Sequence, residues 1–248
     1  MASTNSLSSR QQPERLALID ALRGGAILAM AAYHFGFDLN FLGWLHQRIN
    51  DDPRWLAARA LILGTFLFTA GISLALAEGQ HKSLALKLRR IGKIGGAAAL
   101  VTAGSWLVFP ASAIYFGTLH AIALMSLILL LFPLPAWPAW VLGVLALGIG
   151  NGYANASFDH PALAWVGLMT HKPRTEDYVP MLPWFGVCLI GYGAAKAFMR
   201  RQLIDKLARI QRLPRLLPWL GRHSLAFYLL HQPVLLGILV PVTQLLRP

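Results

Sequence analysis

Seven apolar stretches recur along the chain, at roughly 16–41, 56–77, 91–109, 115–132, 137–150, 181–199 and 220–245. A helix that spans a bilayer needs about 20 such residues, with about 17 as the lower bound. Six stretches meet that length; the fifth is short, and Pro135 and Pro138 crowd its start. The first stretch, continued to Trp44, differs from the rest because four strongly polar residues interrupt it: Asp20, Arg23, His34 and Asp38. At about 100° per residue Asp38 returns to the direction of Asp20, with His34 about 40° and Arg23 about 60° to one side. The pattern predicts a greasy helix with one polar stripe. Ionisable groups are costly in hydrocarbon, so such a stripe faces the protein interior or a wet cavity and marks functional residues. The fold predicted is an all-α polytopic bundle of about seven transmembrane helices.

Composition agrees. The chain has 248 residues, 56% hydrophobic and 13% charged, with mean hydropathy +0.54. Soluble domains carry about 25% charge. Residues 1–14 read as a polar, disordered cytoplasmic tail, and 15–246 as one transmembrane domain. Met1–Gln12 is Ser-rich, with no short apolar core of a cleaved signal peptide. Cys188 is the single cysteine, which excludes a disulfide framework.

The net charge of +12 would suit nucleic acid, but the basic residues fall between apolar runs and no aromatic-interleaved basic patch occurs. Arg10, Arg15 and Arg23 lie at the start. Lys82, Lys87, Arg89, Arg90 and Lys93 lie between runs two and three. Lys196, Arg200, Arg201, Lys206, Arg209, Arg212, Arg215 and Arg222 lie between runs six and seven. With seven spans all three groups share one side, and positive-inside bias makes that side cytoplasmic, with the C-terminus outside. Dropping the fifth span would put the third group outside, against that bias. The protein is expected in the inner (plasma) membrane.

Polar residues from different runs then fall at compatible depths. His34 lies about 21 Å beyond Asp20, in the outer half. His120, Asp177 and Tyr178 enter from the outer side, and Ser224, Tyr228 and His231 form one helical stripe. Pro233 is expected to kink the seventh helix. Asp20 and Arg23, three apart, read as a structural ion pair. His34 and Asp38, four apart, suit a carboxylate that orients an imidazole and leaves its other nitrogen as a base, against the plainer reading of a packing pair. His120 and His231 alone are equally well read as core histidines. His46, His81, His160 and His171 fall in connectors and are expected to be solvated. Gly92 and Gly96 suit helix packing. No histidine pair has metal-ligand spacing, and no phosphate loop, nucleophile elbow or dinucleotide fingerprint occurs, so no metal is expected.

Five segments in order, IDALRGGAILAMAAYHFGFDLNFLGW, FLFTAGISLALAEG (66–79), IYFGTLHAIAL (114–124), DYVPMLPWFGVCLIGYG (177–193) and LGRHSLAFYLLHQPVL (220–235), resemble the heparan-α-glucosaminide N-acetyltransferase catalytic domain and its small bacterial relatives. The resemblance runs from Arg15 to about Leu236. It implies a membrane acyltransferase that takes acetyl from acetyl-CoA, and it maps the family's active histidine, in the helix-one motif, onto His34. The chain is shorter than the lysosomal enzyme, which has additional helices and a luminal segment.

Residues and resemblance together give an expected site. His34, Asp38 and His120 are its catalytic candidates. Arg89, Arg90, Lys93 and Arg222 at the inner rim, with His231, are candidates for acyl-CoA. Asp177, Tyr178 and Trp184 are candidates for a sugar or glycan-like acceptor. Acetyl-CoA, or another acyl-CoA, is the co-substrate and membrane lipid the surrounding partner, with a homodimer left open beside a monomer. The rival reading is a transporter or channel that uses the His/Asp stripe for protons or solute; the inverted repeat common in transporters is absent.

Overall fold

The computed structural model describes residues 16–80, 83–201, 203 and 214–246. The 1–14 tail, Arg15, His81, Lys82, Lys206, Arg209, Arg212 and Arg247 lie outside them. Every described regular element is helical. The helices are α1 (Ala17–Phe41), α2 (Pro53–Gly79), α3 (Leu84–Val108), α4 (Thr118–Leu131), α5 (Ala136–Gly152), α6 (Met181–Arg200), α7 (Leu216–Arg222) and α8 (Ser224–Leu246), with short 3₁₀ turns at Pro110–Ser112, Ala156–Phe158 and Pro161–Val166.

Helices α2, α3, α6 and α8 are long and apolar enough to cross a membrane. Helix α1 has similar length but carries the polar stripe. α4 and α5 are apolar and shorter. The surface is what a lipid-facing bundle requires: Leu61, Leu100, Leu107, Leu131, Leu230 and Leu245 are all at least 60% exposed.

Helix starts follow local chemistry. The Asp52 carboxylate accepts from Arg54 N at 2.8 Å, with Pro53 opening α2. Ser83 caps α3 by accepting from Leu86 N, so the helix begins at Leu84, seven residues before the apolar run. Lys87, Arg89 and Arg90 therefore sit on helix turns rather than in a loop. Straight-chain residues lose little freedom in a helix, and the cap supplies the start. The seventh run also divides. α7 ends at Arg222, His223 N bonds back to Leu220 and Trp219 carbonyls, and α8 starts at Ser224. Helix α8 then runs on through Pro233 and Pro241.

The core joins α2, α4, α5 and α6 around Leu67, Met125, Cys188 and Tyr192. Close approach there depends on glycine. A Cβ on Gly71 would collide with the Cys188 carbonyl, and one on Gly191 with the Phe68 carbonyl. Helices α1 and α7 interlock in the same way, Gly24 against Leu217 and Gly221 against Asp20. Without side chains at the crossing, backbones meet directly and dispersion contacts multiply.

α4 has 14 residues, about 21 Å, against a hydrocarbon thickness of about 30 Å. Residues 109–117 lead into α4 with one 3₁₀ turn, Pro110–Ser112, and otherwise without a helix. Non-helical backbone at such depth needs partners. Here Ser112 O accepts from Glu176 N, Ala113 O from Thr175 Oγ1, Ile114 O from Thr102 Oγ1 and Phe116 O from Val179 N. Segments 112–117 and 175–179 thus pair into a plug at one end of the bundle.

Candidate active site

α1 and α8 meet along the polar stripe. The His34 and His231 rings lie 4.9 Å apart, centre to centre, at 60°. Asp38 is 2% exposed, and its Oδ1 accepts from Gln232 Nε2 at 2.8 Å. The expected His34–Asp38 hydrogen bond is not formed. Both side chains lean toward α8, where a ring and an amide offer better geometry than a neighbour one turn along the same helix. His231 Nδ1 lies 2.7 Å from the Tyr228 carbonyl. A carbonyl only accepts, so Nδ1 carries the proton and the Nε2 lone pair is left over.

That nitrogen has no partner. Among the described residues the buried side-chain polar atoms without a hydrogen bond are Asp38 Oδ2, His231 Nε2 and Gln232 Oε1. All three lie at the α1–α8 seam. Each such atom costs about 1–3 kcal/mol unless a ligand or water satisfies it. Here the neutral imidazole nitrogen, the amide oxygen and the carboxylate oxygen are acceptors, so they suit a molecule that brings N–H or O–H groups.

Asp177 stands beside this seam, from the plug. Its Oδ2 accepts from Thr118 N at 2.8 Å and from Tyr228 Oη at 3.0 Å. Thr118 Oγ1 donates to Oδ1 at 3.4 Å. The carboxylate thus caps the positive end of α4 and ties it to α8. Asp177→Ala would remove the acceptor of both the Tyr228 hydroxyl and the Thr118 amide inside the protein. A loss of about 2–4 kcal/mol in unfolding free energy is expected, read by thermal melting in detergent; an unchanged melt would remove this brace.

His120 is engaged at both ring nitrogens. Nδ1 accepts from Gly117 N at 3.3 Å, and Nε2 lies 3.1 Å from Thr102 Oγ1, whose own proton goes to Ile114 O. This places the proton on Nε2 and makes His120 a clamp of α3, the plug and α4. Neither nitrogen is left for an acceptor. Tyr178 Oη donates to Ala164 O at 2.6 Å, and burial pushes its phenol up to about 12. Trp184 packs against the α2–α4–α6 core. Neither of these two is brought to the seam. Asp20 Oδ1 and Arg23 Nη1 lie 3.4 Å apart, and Arg23 Nη2 donates to Ser73 Oγ at 2.7 Å. Arg89, Arg90, Lys93 and Arg222 are exposed, and Arg90 also lines a cavity with Lys87.

Sequence reasoning missed Gln232 as the partner of Asp38 and missed the Glu78–Tyr192–Lys196 cluster. Glu78 accepts from Lys196 Nζ at 2.5 Å and from the Tyr192 hydroxyl. An acid closing the second apolar run and a lysine closing the sixth were the available signals.

The model of the family described as heparan-alpha-glucosaminide N-acetyltransferase, catalytic, matches residues 15–233. The chain belongs to that family. The matched region holds α1 and the His231–Gln232 pair, so both walls of the seam lie within it. No curated protein and no solved structure matches the chain. The family and the apolar helices place the protein among membrane-embedded transferases.

Proposed function

We propose that the protein moves an acetyl group from acetyl-CoA to an amine or hydroxyl of a sugar or glycan-like acceptor, across the seam between α1 and α8. The three unpaired acceptor atoms around His34 carry this reading. Asp38 Oδ2 and Gln232 Oε1 would hold the N–H or O–H groups of the acceptor. A ring nitrogen of His34 takes the proton from the attacking atom or carries the acetyl group, and His231 Nε2 can take that proton onward. A basin of about 270 Å³ lies one turn further along α1, lined by Phe37, Asn40, Gln47, Arg48, Asn50 and Asp51. An aromatic face with planar polar groups suits a saccharide, and Phe37 lies 6.5 Å from the His34 ring.

The acetyl donor meets the opposite end, where exposed Arg89, Lys93 and Arg222 suit its phosphates through charge-assisted hydrogen bonds. Arg90, exposed as well, borders the cavity beside them. His120 serves as a positioning residue for the plug. Residues 15–246 act as one domain.

In this reading the bundle lies in the inner membrane with its N-terminus cytoplasmic, supported by the positive charge at the Asp20 end. An alkaline phosphatase fusion after Leu246 should be active and one at Leu203 inactive; the reverse pattern would overturn the orientation.

The deciding experiment incubates purified protein with radiolabelled acetyl-CoA and an amino sugar. Label on the sugar or the protein is expected. Uptake of solute into liposomes without turnover would favour transport by the same residues and end the transferase reading.

A further inference from the structure

Tyr228 touches the seam at one end and the plug at the other. Its ring packs against two separate groups of buried side chains, Ile27, Met30 and Phe66 from α1 and α2, and Ala97, Ala98 and Leu119 from α3 and α4. Its carbonyl oxygen takes the Nδ1 proton of His231 at 2.7 Å, and the two rings lie 5.8 Å apart. Its hydroxyl donates to Asp177 Oδ2 at 3.0 Å. Asp177 is held firmly in turn. Backbone bonds from Glu176 N to Ser112 O and from Val179 N to Phe116 O, both 3.1 Å, fasten the chain on either side of it. Thr118 donates to both carboxylate oxygens. Against the carboxylate lies Gly117, where a Cβ would collide with Oδ2. Helix α8, by contrast, contains no fully buried residue. A polar pin at this level therefore decides where its His231 turn rests.

We propose that Tyr228 is a positioning residue for the transfer. Its hydroxyl, anchored on Asp177, fixes the turn of α8 that carries His231 and so sets the 4.9 Å between the His231 and His34 rings. Tyr228 touches neither donor nor acceptor and acts through His231. The inference rests on the transferase reading above, in which His231 Nε2 takes the proton onward. Proton transfer between placed groups is sensitive to geometry, and a misplacement of about 1 Å can cost about 10²-fold. Gln232 keeps its own bond to Asp38, so the hold on the acceptor does not depend on the Tyr228 hydroxyl.

Initial rates of acetyl transfer to an amino sugar, measured for Tyr228→Phe, Gly117→Ala and the double variant, test the pin. Tyr228→Phe removes only the hydroxyl; Asp177 keeps its bonds from Thr118, and no donor is left unpaired. Gly117→Ala keeps the hydroxyl and displaces its acceptor, which is the free end of a side chain. Each single variant should lower kcat by about 10-fold or more, with KM for both substrates retained. The double variant should lose no more than the larger single change, because both act on one pin. A thermal melt of each variant confirms that folding is retained. An unchanged kcat in Tyr228→Phe would overturn the role. A change confined to KM would make the hydroxyl a binding group and overturn it too. Single losses that multiply in the double variant would mark two unrelated defects and overturn the shared pin. Should Tyr228→Phe fail to accumulate, the same kcat and KM split in Gly117→Ala decides. Transfer by the parent with no effect of the variants removes this inference alone, whereas no transfer by the parent removes the transferase reading and this inference with it.

Discussion

His34→Ala is expected to lower acetyl transfer by about 10²–10⁴-fold, the usual cost of removing a general base, and by more if the ring carries the acetyl group. The protein should still insert and still bind coenzyme A, because the exposed basic residues proposed for the phosphates lie at the other end of α1. His34 is only partly buried and makes ring contacts rather than a hydrogen bond that another helix depends on. Removing it therefore leaves no new unpaired partner. Asp38→Asn is a finer probe. It keeps an oxygen for Gln232 and replaces the unpaired oxygen with an N–H₂ donor. Acceptor affinity should fall more than the maximal rate, since a donor would then face the donors of the substrate. The measurement is initial rate against acetyl-CoA and acceptor concentration. A fully active, normally inserted His34→Ala protein would end the mechanism. A His34→Ala protein that fails to accumulate would instead mark His34 as a packing residue.

Gly71→Ala is expected to destabilise the protein by about 3 kcal/mol or more, at the upper end of what overpacking costs. Most overpacked sites relax by rotating a side chain. Here the added methyl meets the Cys188 carbonyl and the Tyr192 amide, which can move only if α6 moves. Gly191→Ala presses on Phe68 from the other helix. The two changes act on one crossing, so the double variant should lose less than the sum of the singles. Thermal unfolding in detergent, followed by circular dichroism, checks both claims. A melting temperature within a degree of the parent for Gly71→Ala would show that the α2–α6 crossing is looser than described.

The helices were largely legible because apolar run length is a local property. Each of the seven runs contains a helix, the short fifth one included. The errors were at ends, where capping decides: Ser83 extends α3 back over its basic residues, and His223 separates α7 from α8. The site was legible in part. A stripe on α1 follows from helical period alone, and it pointed to His34 and Asp38. Their partners did not follow, because Gln232 is 194 residues from Asp38 and sits beside a histidine of similar appeal. Helical period also suggested that Asp38 would serve His34. It could not reveal that a nearer competitor on another helix takes that oxygen. Asp177 read as an outer substrate group because it stood alone before α6; only the plug shows that it caps α4.

Helix α8 contains no fully buried residue, in contrast to α6 with eight. What holds it at the level of the seam and above is largely three polar pins: Gln232 to Asp38, Tyr228 to Asp177, and Trp44 Nε1 to Thr243 Oγ1 at 2.8 Å. Half of the groups proposed for the reaction therefore ride on a helix without a buried residue, while His34 and Asp38 stand on one packed against α2 and α7. Such a vise has one fixed jaw and one sprung jaw. The 4.9 Å between the centres of the His34 and His231 rings is therefore held on the α8 side by polar pins rather than by a buried face.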